Sequence, residues 1–544
     1  MILSTAIFVP AAEPRTGRIV HNGAVVKSKL ETTLAFPRQH KYPAVAMRNR
    51  LLTFLVPEAA RSRTILKLAW PIMAAMLTQT FINQFDTILI GFLPKEYSIA
   101  GQAGLGYSVL LHWMIGGFVG AIAVGTQAMT ARRMGEGDRY GAGQVLFNSA
   151  LVALVVGTIV TVLAVIFTRP LFRLFTQNEQ VLAQGVPYCR ARFVGILGMV
   201  GTLSFKSFFD GLGKTHYHLI TAIIMNIING LLAWVLVFGV GGFPAMNVLG
   251  AGVAATVASY VGMLIMVGWA LRAKYRVTHH IFHIGNTDFR VMGRILRLSI
   301  PSGVATAVLM IGILVAYHWV GLLDAQSSSE IAKNGLASAR VEWMRALSPF
   351  GADGTTFSSV LGTQAPIHAA ATKVIFDILF LSIMACMGLG IATATLVSQN
   401  LGKGHPEESE KFAWTSVRIA AWFTGLLGLL VVIFPDQAMG VFTHDQEVVE
   451  IGRSSLRIVG AANFAIGFGL VLAQALFGAG ATRFVMWVEI ILHFLCLVPL
   501  SWLLALPLGL GLNGIFLAAV VYIVGLGALM TWKFRSGTWK KIQI

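Results

Sequence analysis

Gly211-Leu212-Gly213-Lys214-Thr215 returns in this chain as Gly478-Ala479-Gly480-Ala481-Thr482, and Gly135-Glu136-Gly137 returns as Gly402-Lys403-Gly404. Both pairs are offset by 267 residues. A third pair, Leu66-Lys67-Leu68-Ala69-Trp70-Pro71 and Leu296-Arg297-Leu298-Ser299-Ile300-Pro301, is offset by 230. The second copy therefore carries 37 more residues between its first and second marks. Self-similarity on this scale fixes architecture before any local reading. In a membrane protein it points to a transporter built from two repeats around a central site.

The sequence around these marks is apolar. Hydrophobic residues make up 56% of the chain and charged residues 12%, with mean hydropathy +0.74. Soluble domains carry roughly a quarter charged residues, so a soluble protein is excluded. Runs such as 145–167, 219–239 and 484–506 exceed the about 20 residues that take a helix across a bilayer core. Twelve such spans are predicted: 66–92, 102–131, 142–168, 185–209, 216–239, 247–272, 294–322, 367–399, 410–435, 448–477, 482–506 and 510–533.

The formal charge of +18 has a membrane explanation, because Lys and Arg concentrate in cytoplasmic loops. With the amino terminus inside, those loops hold Arg132, Arg133, Arg139, Lys214, Arg272, Lys274, Arg276, Arg290, Arg294, Lys403, Lys411 and Arg483, and the tail holds Lys533, Arg535, Lys540 and Lys541. The connection after the ninth span is acidic, with Asp436, Asp445, Glu447 and Glu450, which fits the external face. Both termini are thus expected in the cytoplasm of a multi-pass protein of the cell (inner) membrane, with the lipid bilayer and not nucleic acid as its partner. Cys189, Cys386 and Cys496 all fall within spans, which indicates neither a disulfide framework nor a cysteine metal site.

Six spans per copy is an even number, so both copies begin on the same face. The expected fold class is all-α integral membrane, with twelve transmembrane helices in two parallel six-helix lobes. Residues 1–61 read as a basic, disordered cytoplasmic arm without a secretory signal pattern, and Met47 is a candidate start. The amino lobe is expected at 62–275, a cytoplasmic linker at 276–293, the carboxy lobe at 294–536 and a tail at 537–544. The extra residues fall in an external insertion of about 323–366, with an amphipathic stretch at 337–347. The recurring glycines lie between spans on the cytoplasmic side, where positive φ permits tight reversal.

Gly211 to Thr215 is similar to the end of a phosphate-binding loop, but Phe208 stands where the motif needs its first glycine, and no strand precedes it. An ATP-driven pump is disfavoured. Carboxylates at bilayer depth are costly and so become functional candidates. Asp86 sits in the polar run Asn83-Gln84-Phe85-Asp86-Thr87, and its repeat counterpart is Ala316, so the acid belongs to one copy only. Glu489 and His493 share a helical face in the eleventh span and are a candidate second relay; Asp377 in the eighth is a third candidate. Asn226 and Asn229 share a face of the fifth span. Candidates for the substrate cavity are Asn83, Gln84, Tyr107, Gln127, Asn226 and Tyr317, with aromatic rings suited to a cationic ligand.

Taken together, the run from Pro71 to Gly91 with Asp86, the Gly135-Glu136-Gly137 loop, the Gly211 turn followed by Asn229 and Phe238-Gly239, Gly252 with Thr256, and their second-copy echoes resemble the multidrug and toxic compound extrusion (MATE) family over about residues 62–536. The resemblance implies a secondary active antiporter that exports amphipathic, often cationic, small molecules by alternating access, with H+ or Na+ as coupling ion and no cofactor. It also implies a coupling site at Asp86, Asn229 and Thr256, with sodium held, if anywhere, at Asp86. The family's fifth-span aspartate is Ala233 here, and its carboxy-lobe acids are missing, so proton coupling through Asp86 is favoured. A monomer is expected. A lipid-precursor flippase is the alternative reading; a membrane-embedded enzyme is disfavoured for want of HExxH-like spacing or a nucleophile elbow.

Overall fold

The computed structural model describes residues 58–176, 178–328, 367–443 and 445–544. The arm at 1–57 and the greater part of the expected insertion, with its amphipathic stretch at 337–347, lie outside the described residues. Among the described residues there is no strand. Eleven helices are long and apolar enough to cross a membrane: α1 (Ala59–Gly91), α2 (Glu96–Gly135), α3 (Arg139–Arg173), α4 (Glu179–Gly211), α5 (His216–Phe238), α6 (Val248–Leu271), α7 (Phe289–Asp324), α8 (Ile367–Gly402), α9 (Pro406–Ile433), α11 (Thr482–Ala505) and α12 (Gly511–Arg535). The twelfth span, α10, is a pair, Gln446–Ala462 and Phe464–Ala479, bent by 54°.

All twelve expected spans coincide with these helices, but α10 was expected as one continuous run. Asn463 stands at its break and donates from Nδ2 to the Thr424 carbonyl at 2.8 Å and to Ser382 Oγ at 2.9 Å. An amide buried in the bundle must find partners, and those on α8 and α9 hold the bend in place. A second irregularity is the π turn Leu492–Leu497 in α11, one turn before Pro499. Pro cannot donate to the helix ladder, and a wide turn before it is one way to absorb the mismatch.

Helix packing repeats between the two halves. In the first half α1 packs on α5, α5 on α6, α2 on α4 and α4 on α6; in the second, α7 packs on α11, α11 on α12, α8 on α10 and α10 on α12. The halves meet where α1 lies on α8, α2 on α7 and α2 on α8. Helices α1 and α7 belong to both halves. Ile65, Ala69 and Ile72 of α1 join the second half's core, while Leu89 and Ile90 pack in the first. Val291, Ile295 and Leu298 of α7 join the first half's core, while Trp319 and Val320 pack in the second. Each helix carries an internal proline near this change of partner, Pro71 and Pro301.

The glycine marks turn the chain at one end of the bundle. Gly137 and Gly404 have φ of +80° and +77°, and Gly213 and Gly480 have +74° and +91°, so both copies use the left-handed region at the same positions. The last residues also sit at this end. Trp539 is fully buried, stacks on Phe534 at 4.5 Å and donates to its carbonyl at 2.7 Å. Carboxylates of Glu410 and Glu407, 2.7 and 3.1 Å away, hold the Lys540 ammonium above its ordinary pKa.

Candidate functional site

Asp86 lies five residues before the end of α1, and Asn229 lies on the facing α5. They are 4% and 5% exposed, and Asn229 Nδ2 donates to Asp86 Oδ1 at 3.2 Å. The amide's other atom, Oδ1, is buried with no partner. Among the described residues Asp86 has no ion pair within 4 Å, although the Arg192 guanidinium of α4 is near enough to act on its charge. Arg192 also acts on His112 of α2 and on Tyr188, so its charge is felt by an imidazole and a phenol of the first half as well as by the carboxylate. His112 is itself buried with Nδ1 unpartnered.

The remaining expected site residues divide sharply. Thr256 does not join Asp86 and Asn229: its hydroxyl donates to the Ala191 carbonyl of α4, at a place where Gly195 lets α4 and α6 approach closely. Tyr107, expected in the cavity, is 4% exposed and packs between Phe172 and Phe175, each 6.0 Å away, in the core of the first half. Gln127, 9% exposed, lies at the junction of the halves. Its Nε2 donates to the Ile391 carbonyl and to Thr395 Oγ1 of α8, both at 2.8 Å, and so ties one half to the other. Asn226 is half-buried with Nδ2 unpartnered, and Tyr317 stacks on Phe376 of α8 at 5.8 Å. The side chains of Asn83 and Gln84 lie outside the described ones.

In the second half, Glu489 and His493 do meet. His493 Nδ1 lies 2.8 Å from the Glu489 carbonyl and 3.3 Å from its Oε2, and Tyr522 of α12 donates to that same Oε2 at 2.8 Å. Asp377 is not part of this group; Lys373, four residues earlier, holds it at 2.9 Å in a surface pair.

The halves are joined at the glycine-marked end. Ser398 Oγ donates to the Ala128 carbonyl at 2.7 Å, Gln399 Nε2 to Gly211 at 2.8 Å and Thr395 Oγ1 to Asp210 at 3.0 Å. A side chain on Gly135 would strike the Gln399 carbonyl, and one on Gly402 the Arg132 carbonyl, so the two first glycines of the repeated loop form a close backbone seam. Arg61 of α1 adds an ion pair with Glu408 of α9 at 3.1 Å. Asp86 and Asn229 lie toward the opposite end of their helices.

Sequence reasoning missed Arg192, His112 and Tyr522. A basic residue inside an apolar span is a usable signal for the first, since a guanidinium at bilayer depth is as costly as a carboxylate. Nothing in the spacing places Tyr522 against Glu489, because they sit on different helices.

Comparison with known proteins agrees with this geometry. The sequence profile of the MatE family matches residues 71–235 and 354–503. A probable multidrug resistance protein NorM of Thermotoga maritima is 24% identical over 89% of this chain and 94% of its own length. A multidrug resistance protein NorM of Burkholderia vietnamiensis is 22% identical over 87% and 93%. Among solved structures, an outward-facing multidrug resistance MATE family transporter of the MOP superfamily superposes with TM-score 0.74 at 19% identity, covering 90% of this chain and 98% of that one. A Pyrococcus furiosus MOP superfamily transporter, described as having a binding pocket of reverse polarity, gives TM-score 0.74 at 18% identity over 90% and 98%. With two repeated six-helix halves, a one-sided seam and a family profile spanning both halves, the chain belongs to the MatE family of multi-pass membrane transporters and is not an enzyme.

Proposed function

We propose that this transporter exports amphipathic, commonly cationic, small organic molecules in exchange for protons, with Asp86 as the coupling carboxylate. The observation that carries the reading is the Asp86–Asn229 pair: a carboxylate 4% exposed, with a single amide donor and an unpartnered amide oxygen beside it. Burying an ionised carboxylate without a paired cation is expensive. Ionised Asp86 accepts from the amide N–H. After proton uptake, a half-turn of the Asn229 amide presents its Oδ1, unpartnered here, as acceptor to the carboxyl O–H. The pair thus has a hydrogen-bonding arrangement for each protonation state, and changing between them repacks α1 against α5. Because α1 also packs in the other half, that change reaches the seam between halves.

Protons fit these side chains better than sodium. A sodium cage needs several oxygen ligands, whereas Thr256 is committed to α4 and Ala233 stands where the family aspartate would add a carboxylate. The seam at the glycine-marked end supports a state closed on that face, which we place in the cytoplasm with both termini, in the cell (inner) membrane. Relatives named multidrug resistance proteins support the substrate class. The site lies within one chain, which supports a monomeric transporting unit.

The test is efflux of a fluorescent cationic dye from reconstituted vesicles under imposed proton or sodium gradients. A proton gradient should drive efflux and a sodium gradient should not. Asp86→Asn should lower proton-driven efflux at least tenfold, about 1.4 kcal/mol of coupling. Full efflux by that variant, or no response of the wild type to protons, would overturn the reading.

A further inference from the structure

The second half holds a buried acid–base cluster that the proposed cycle through Asp86 does not use. Glu489 and His493 are one helical turn apart on α11, with His493 fully buried. Both oxygens facing His493 Nδ1, the Glu489 carbonyl at 2.8 Å and Oε2 at 3.3 Å, are acceptors, so Nδ1 carries the hydrogen. That leaves Nε2 as a bare lone pair, and it is buried with no partner. A buried acceptor without a partner costs about 1–3 kcal/mol, and the described helices around His493 supply none, so a proton would satisfy it. A proton taken up at Nε2 gives an imidazolium whose counter-charge, the Glu489 carboxylate, is already in place beside Nδ1–H.

The surroundings are fitted to this pair. From α12, Tyr522 donates to Glu489 Oε2 at 2.8 Å and lays its ring 4.5 Å from the imidazole. The other charged groups of α12, Lys533 and Arg535, are at its far end against Phe484 and Trp414. From α7 the facing residue is Gly312, where a methyl would fall 2.5 Å from His493 Cδ2. The titratable neighbours of Gly312 on α7 are turned to other partners: Tyr317 stacks on Phe376, and His318 packs on Trp319 at 5.2 Å. The imidazole also opens the π turn Leu492–Leu497, and such turns recur at functional sites in helices. Within α11 the remaining titratable residue near the pair is Cys496.

We propose that Glu489 and His493, steadied by Tyr522, form a second proton-binding site in the carboxy-terminal half, which holds one proton between them and reports its presence to α7 through Gly312. The proton enters as H+, adds to the pair and leaves as H+; no bond to carbon changes. The consequence rests on the proton-exchange reading above: two proton sites, one per half, act in a cycle. Since α7 packs in both halves, a charge gained at His493 acts on the same inter-half seam as Asp86 does from α1.

The full chain in vesicles is the material for the test. Acid–base difference infrared spectroscopy should show, besides the band of Asp86, a second band, the carboxylate stretch of Glu489 displaced as His493 becomes an imidazolium, that Glu489→Gln removes and Asp86→Asn leaves. His493→Gln should move its titration midpoint. Tyr522→Phe, which keeps the ring against His493, should retain the band and shift its frequency. In dye efflux, Glu489→Gln should lower the number of protons exchanged per dye from two to one while transport persists. A Glu489→Gln spectrum unchanged from wild type overturns the proposal, as does unchanged titration in both His493→Gln and Tyr522→Phe. Failure of proton-driven efflux in the wild type would overturn the exchange reading instead, and the infrared bands would still decide whether the second site exists.

Discussion

The two halves share a packing plan yet place their buried polar groups differently. In the first half the polar contact spans α1 and α5: Asp86 comes from one helix and Asn229 from the other. In the second half the equivalent seam is α7 against α11, and there the acid and its histidine both sit on α11, Tyr522 of α12 donates to the acid, and α7 contributes Gly312. Repeat offsets make the contrast concrete. Asp86 corresponds to Ala316, Glu489 to Ala222, and His493 to Asn226. Asn226 Nδ2 and His493 Nε2 are moreover both buried without a partner. A seam duplicated with its fold has thus kept an unsatisfied polar position on one helix and moved the carboxylate from α1 to α11. An acid contributed by α1 couples two helices directly; an acid on the same helix as its histidine is local and reaches α7 only by contact of the ring. The first arrangement should therefore control transport more strongly.

The largest expected effect tests that ranking. Asp86→Asn should cost at least tenfold in proton-driven efflux, and Glu489→Gln should cost less; equal or reversed losses in the vesicle assay would break the comparison. Next comes the seam, where the copies meet as equals. Gly135→Ala and Gly402→Ala each push a methyl into the partner's backbone, and overpacking of this kind costs about 1–3 kcal/mol. Each variant should shift the population toward opening at the glycine-marked end by about tenfold, read as thiol labelling of Thr395→Cys in a background without the native cysteines.

Third, Gly312→Ala should lower the stability of the purified protein by about 1–3 kcal/mol through its clash with His493, with His493→Ala restoring most of the loss in a double-mutant cycle. Position 82, the repeat equivalent of 312, already carries isoleucine, so the effect belongs to the second half. Fourth, Gly137→Ala and Gly404→Ala, where φ is positive but space is open, should each cost about 1–2 kcal/mol from backbone strain. Unequal costs would show that the two turns are not the same device.

The smallest effect concerns the linker between halves. His279 ends a short helix, Ala273–His279, and packs edge-on to Phe208 at 5.8 Å. Burial, the largest cause, together with the Arg139 charge holds its imidazole below the ordinary 6.5 against the opposing pull of the Tyr275 backbone. The unfolded chain therefore binds the extra proton first, and stability falls as pH drops through about 6.5 and toward the lower folded value. Melting curves between neutral and mildly acid pH should show this slope, and His279→Phe should flatten it.

The fold was largely legible because membrane crossing demands long apolar helices, and Val145 to Phe167 or Leu219 to Gly239 leave no other reading. The bend of α10 was not, since Asn463 sits within an apolar run and its partners, Thr424 and Ser382, lie on two other helices. Of the site, Asp86 with Asn229 and Glu489 with His493 were visible as polar residues where lipid forbids them. Gln127, Tyr107 and Thr256 looked the same in sequence but proved to be a tie between halves, a core aromatic and a helix-to-helix bond. In a bundle surrounded by lipid, apolar spacing does not separate the face toward a cavity from the face toward another helix.

What the sequence determined by itself was the twofold architecture, since hydropathy over about 20 residues and glycines needing positive φ are local properties of the chain. Only the tertiary structure decided which polar residues meet. Whether Asn229 reaches Asp86, whether Tyr522 reaches Glu489 and whether Gly312 makes room for His493 depend on how separate helices pack, and hydrogen bonds between them require approach to within about 3 Å.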